Sequence, residues 1–166
     1  MPGHNPCCPG GFACIACKGG VYPPNLSLTI AGVGNAFCND CGNVNDTFII
    51  PITQCCGLTW PECGPPPEGS GQSNAHYFAG FGDVAICTTM LISVRAVVWW
   101  NRDNVAGRRE IQVNVEWAGI PIIVWRLTEN GQDDPFDCEA FDSLNIPFSG
   151  IGIECAGTPT CLLSAA

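Results

Sequence analysis

The stretch "EIQVNVEW", residues 110–117, sets Ile111, Val113, Val115 and Trp117 in alternation with Gln112, Asn114 and Glu116. Side chains of an extended chain point to opposite faces in turn, so a period of two writes a strand with one apolar and one wet face. "LISVRAVVWW", residues 91–100, repeats the pattern, with Ile92, Val94, Ala96, Val98 and Trp100 on one face and Ser93 and Arg95 on the other. The polar, glycine-containing "NRDNVAGRR" between them has the composition of a hairpin loop. "IIVWRL", after Gly119 and Pro121, supplies a third strand, and the three read as an antiparallel meander. Trp99 falls on the Ser93 and Arg95 face, so both sides of its strand carry bulk. Core packing on one side and a partner or second layer on the other would explain this. Trp99 and Trp60 are the candidate partner-binding aromatics.

Shorter strand patterns occupy residues 25–31, 47–53, 75–81, 83–89 and 144–153, and Pro51 marks its strand as an edge. No long window joins a helical period to helix-forming residues. Short strands separated by Gly and Pro predict an all-β fold, an antiparallel β-sandwich of jelly-roll-like type. A chain of 166 residues suits one domain, 1–166. Its character changes near residue 72. Nine of thirteen cysteines and ten of fourteen prolines precede that point, so 1–72 is a Cys/Pro/Gly-rich, cross-linked part and 73–166 a strand-rich part. The first part has too few apolar runs for a core of its own.

Thirteen cysteines approach the density of disulfide scaffolds, which persist in oxidising places such as the cell exterior or a virus particle. The disulfide candidates are Cys7, Cys8, Cys14, Cys17, Cys38 and Cys41, then Cys55, Cys56, Cys63, Cys138, Cys155 and Cys161. Cys14, Cys17, Cys38 and Cys41 also form C-x2-C, twenty residues, C-x2-C, a zinc-ribbon spacing that makes zinc the alternative. A zinc site leaves the doublets Cys7-Cys8 and Cys55-Cys56, and Cys63, without a role. Adjacent cysteines rarely bond each other, so each doublet is expected to reach two partners. The total is odd, and Cys87, inside the apolar "VAICTT", is the candidate free, buried thiol. Cys7, Cys8, Cys155 and Cys161, near the two ends, are best placed for an interchain bond.

The net charge of −9, with one lysine and five arginines, repels phosphate backbones and argues against nucleic-acid binding. The one basic doublet, Arg108-Arg109, reads as a solvated hairpin end. The amino terminus shows neither the basic start nor the apolar run of a signal peptide, and no stretch reaches the roughly 18 apolar residues of a membrane span. Export by another route, without membrane insertion, is therefore expected.

"ENGQDDPFDCEAFD", residues 129–142, is rich in carboxylates; Asp133, Asp134 and Asp137 are candidate calcium ligands, although the spacing is not that of an EF-hand and a solvated acidic loop explains it too. Asn25 and Asn45 match the N-glycosylation pattern. The chain contains no G-x-S-x-G elbow, Walker loop, G-x-G-x-x-G or H-E-x-x-H, and its two histidines, His4 and His76, read as exposed polar residues. No catalytic residue is expected.

The string "CNDCGNVNDTF", residues 38–48, with "LSLTI" before it and "LTW" after it, resembles the recurring element of a class of cysteine-rich β proteins of planctomycete-like bacteria and bacteriophages. That element runs C-x-x-C, then N-G-T-(Y/F) and a strand; Asp46 stands here in place of its Gly. The resemblance brings no activity and implies extracellular or virion structural proteins. The expected function is a non-enzymatic, disulfide-stabilised, self-assembling building block, without a cofactor, at a virion surface (capsid decoration or tail component) or in an extracellular filament. Its partners would be copies of itself or other structural proteins. Two alternatives stand beside it: a carbohydrate- or surface-binding adhesin module, with calcium, and a zinc-binding domain.

Overall fold

The computed structural model describes residues 16–20, 23–31, 45–56, 76–86, 90–102, 105–117, 120–142, 144–148 and 160–166. The strands are β1 (Asn25–Ala31), β2 (Asn45–Cys56), β3 (His76–Ile86), β4 (Met90–Trp100), β5 (Arg109–Trp117), β6 (Ile120–Glu129), β7 (Leu144–Ile146) and β8 (Thr160–Ala165). All pair antiparallel in one eight-stranded sheet of order β6-β5-β4-β3-β2-β1-β8-β7. Just beyond β7, Phe148 bridges Trp125 and the Arg126 amide donates to the Pro147 carbonyl at 2.9 Å, so the end of the sheet comes back to its start. The sheet is nearly closed, and this limits the unpaired edges that open sheets must protect.

The all-β antiparallel expectation holds, and the connectivity is simpler than that of a jelly roll. Apart from β1 beside β8, every pairing within the sheet order joins strands that are consecutive in the chain. The β4–β5–β6 meander matches the sequence reading, with Val94 opposite Val115 and Val113 opposite Trp125. Where two strands, 75–81 and 83–89, were expected, His76–Ile86 form a single β3 that runs through Gly82; residues 75 and 87–89 lie outside the described residues. A β-carbon at Gly80 would lie 3.3 Å from Ile50 Cδ1, and one at Gly82 3.0 Å from Ile50 Cγ2. The two glycines give up side chains so that Ile50 can fill the interior beside them.

β2 is no edge, contrary to the expectation from Pro51, since it lies between β1 and β3. Pairing with β3 begins at Ile52 and shifts register before Gln54, so the missing amide of Pro51 removes no bond from that ladder. β8, "TCLLSA", was not expected from the sequence, because Leu162 beside Leu163 hides its alternation. Cys161 and Leu163 nevertheless point inward, between outward Thr160, Leu162 and Ser164.

The interior is one cluster to which every strand contributes, including Leu26, Leu28, Ile50, Phe78, Val98, Val113, Trp125, Ile146 and Leu163. Each such aliphatic side chain contributes about 1.5–3 kcal/mol by leaving water. Ala16, Cys17, Phe136, Cys138 and Phe141 extend this cluster, so the Cys/Pro/Gly-rich part and the strand-rich part share one core. Among the described residues no helix is long and apolar enough to cross a membrane.

Candidate functional site

Glu110, Gln112 and Asn114 point away from the interior, where a half-wet strand should meet solvent. Instead they are 0%, 8% and 8% exposed. The register sets Glu110 beside Trp99 of β4 and Gln112 between Val97 of β4 and Arg126 of β6. Tyr77, Ala79, Val97 and Trp99 form a second, smaller buried cluster on this outward side. The bulk on both faces of β4 thus belongs to two layers of packing.

The charges converge on Glu110. Arg102, in the turn after β4, lies over the Trp99 ring at 4.1 Å and donates to Glu110 Oε1. Arg108 Nη2 donates to Glu110 Oε2 at 3.2 Å, and Arg126 Nε lies 3.2 Å from Oε1. Arg126 Nη2 also donates to Gln112 Oε1 at 2.7 Å, and Gln112 Nε2 donates to Asn114 Oδ1 at 2.9 Å. Asn101 takes up a left-handed conformation at φ 55° and accepts the Gly107 amide on its side chain at 3.0 Å, which curls the hairpin so that Arg102 and Arg108 reach the same carboxylate. Three guanidinium groups surround one carboxylate, both of whose oxygens are engaged. Such a node fixes a hairpin and holds polar groups away from water.

The second assembly lies at one end of the sheet. Cys17 and Cys138 are joined by a disulfide with Cα atoms 5.5 Å apart. Beside it the Lys18 amide donates to the Phe136 carbonyl at 2.8 Å, and Phe136 meets Phe141 edge to face at 5.7 Å. Arg109 at the start of β5 stacks on Phe136 at 4.6 Å, while the Ala165 amide at the end of β8 donates to the Phe141 carbonyl at 2.7 Å. The bridge therefore anchors a plug that touches β5 in one half of the sheet and β8 in the other. Lys18 and Asp134, 3.7 Å apart and both largely exposed, add little.

Several sequence expectations change here. Cys17, a zinc candidate, is consumed in the disulfide and cannot supply a thiolate; its proposed companions Cys14, Cys38 and Cys41 lie outside the described residues. Cys161, taken for a disulfide or interchain cysteine, is a free thiol facing the interior, and burial pushes its pKa up to about 12. The thiol stays protonated and out of reach, which suits neither exchange nor cross-linking. Cys87, Cys7, Cys8, Cys63, Cys155 and Trp60 lie outside the described residues, and Cys55 and Cys56 are placed only as the end of β2. Trp99, expected at a partner surface, is wholly buried, because the β4–β5 hairpin brings Arg102 over its ring.

The Arg108 side chain is about three-quarters buried against Glu110, and Arg109 engages Glu129, so the doublet is not a solvated hairpin end. Asp133, Asp134 and Asp137 are exposed, and among the described residues no three His, Cys, Asp or Glu gather as a metal site would require. Comparison with family models, curated proteins and solved structures returned no match for this chain. Sequence reading missed Arg102, Glu110, Gln112, Asn114 and Arg126 as a set. The available signal was Trp99, whose face is also the face of the polar residues on the next strand.

Proposed function

We propose that this chain is a non-enzymatic structural protein, a disulfide-stabilised building block that assembles with copies of itself on a virus particle as a capsid decoration or tail component. An extracellular filament is the cellular counterpart of the same role. The Cys17–Cys138 disulfide carries this reading: it ties together residues 121 apart within the core cluster and suits a protein that works in an oxidising place. The charged groups support it, because three of the five arginines are spent on one internal carboxylate. The resemblance of residues 38–48 to cysteine-rich proteins of bacteria and bacteriophages points the same way.

A disulfide map of the intact oxidised chain, with native mass spectrometry, tests the proposal. The expected result is the Cys17–Cys138 peptide pair together with higher oligomers. A strictly monomeric chain, or one whose Cys17 is reduced and zinc-bound, would overturn it.

A further inference from the structure

We infer that the outward face of β7, β8, β1 and β2 is the surface through which copies of this chain meet. The inference rests on the building-block reading and names its contact. One cross-strand row on this face runs Asn145, Leu162, Thr29, Thr47, and the next runs Ser164, Ser27, Ile49. Ile49 is 59% exposed and Leu162 38%, and Thr29 and Thr47 share a hydroxyl hydrogen bond at 2.8 Å. None of the outward residues of these four strands whose side chains are described is Asp, Glu, Lys, Arg or His; Asp46, at the start of β2, is exposed but has the parity of the inward set.

A neutral face is unusual on a chain with 21 charged residues and a net charge of −9. Sheets normally keep an outward face soluble with charge, above all Lys. Charge also selects the occupant. Two copies at −9 repel wherever their acidic surfaces approach, and like charges brought together at a contact cost several kcal/mol. A face without ionisable side chains lets copies meet without that penalty, leaving only the longer-range repulsion that salt screens. Leu162 and Ile49 then bury apolar surface, while the Thr and Ser hydroxyls find partners across the contact.

Strands about 4.8 Å apart, rising about 3.3 Å per residue, make this face roughly 400 Å² in area. A standard specific interface buries about 800 Å² per partner. One such contact is therefore weak and reversible, and it gains strength when many copies are held in one assembly.

Sedimentation velocity on the oxidised full-length chain, across protein and salt concentrations, tests the inference. The wild type is expected to self-associate more strongly as salt rises. Ile49→Lys and Leu162→Lys each lower the net charge from −9 to −8 in magnitude, which eases overall repulsion, yet each is expected to weaken association roughly tenfold or more. Val105→Lys, at a position 41% exposed in the β4–β5 hairpin, makes the same change in charge and should leave association intact. Circular dichroism and the disulfide map show that each variant is folded. Association that survives both face variants would overturn this assignment and leave the building-block reading in place. A wild type that stays monomeric at every concentration would overturn both.

Discussion

The two halves of the sheet are built alike on the inside and oppositely on the outside. In both, alternate aliphatic residues fill one interior. Outward from β3, β4, β5 and β6, Tyr77, Trp99, Glu110, Gln112 and Asn114 are buried and three arginines are neutralised there. Outward from β7, β8, β1 and β2, Leu162 and Ile49 are exposed, and the outward residues of these strands whose side chains are described include no Asp, Glu, Lys or Arg. The interior pattern makes the fold and says nothing of the work; the difference lies on the outer faces. One carries an internal charged network, with Phe81 and Leu91 exposed farther along it, and the other is the neutral face proposed above as a contact between copies.

The largest expected effect comes from cutting the plug that touches both halves. Cys17→Ala or Cys138→Ala opens a link between residues 121 apart, and chain-entropy reasoning for a loop of this size gives about 4–5 kcal/mol. Denaturant titration should show this loss, and hydrogen exchange should show β5 and β8 loosening together, since Arg109 and Ala165 both rest on the plug. Loosening of one half alone would mean that the plug does not couple them.

Glu110→Gln separates the halves more sharply. It removes the carboxylate to which Arg102, 5% exposed, donates, and breaking a buried pair from one side costs about 3–5 kcal/mol. The lower end, about 3–4 kcal/mol, is expected, because Arg108 and Arg126 keep access to water. Replacing Glu110 and Arg102 together by Leu should recover most of the loss. On the open half, Thr29→Val removes only an exposed hydroxyl pair and should stay within about 0.5 kcal/mol. Equal losses at Glu110 and Thr29 would erase the distinction between the two outer faces.

The inner face was legible in the sequence and the outer one was not, for a physical reason. Period-two alternation reports which residues share a face, so β4, β5 and β6 could be read directly. It does not report what covers the other face. Gln112 and Asn114 look wet by type, and only the fold reveals that Val97 and Arg126 flank Gln112 and that its side chain donates to Asn114. Gly82 looks like a break between strands, yet it and Gly80 make the space that Ile50 occupies. Cys17 fits a metal-ligand spacing because nothing local shows that Cys138 is its neighbour. β8 was hidden by one outward leucine, the residue whose exposure now marks the open face.

Cys161 gives the open half its own pH signature. Its thiol belongs to the interior behind that face, and burial raises its pKa from 9.0 to about 12. Below pH 9 both folded and unfolded chains keep the proton, so the full stability is present. Above it the unfolded chain ionises first, binds fewer protons than the folded one, and stability falls as pH rises toward 12. At about 1.4 kcal/mol per unit, the loss at about pH 10.5 is on the order of 2 kcal/mol. Cys161→Ala lacks this ionisation. Its denaturation midpoint should therefore fall less between pH 8 and about 10.5 than that of the wild type, and any advantage of the wild type at pH 8 should shrink by that amount. Parallel pH dependence in the two proteins would mean that the thiol reaches water in the folded state. The inward face of β8 would then be open where the register places it in the core, and the neutral outer face would lose its rigid backing.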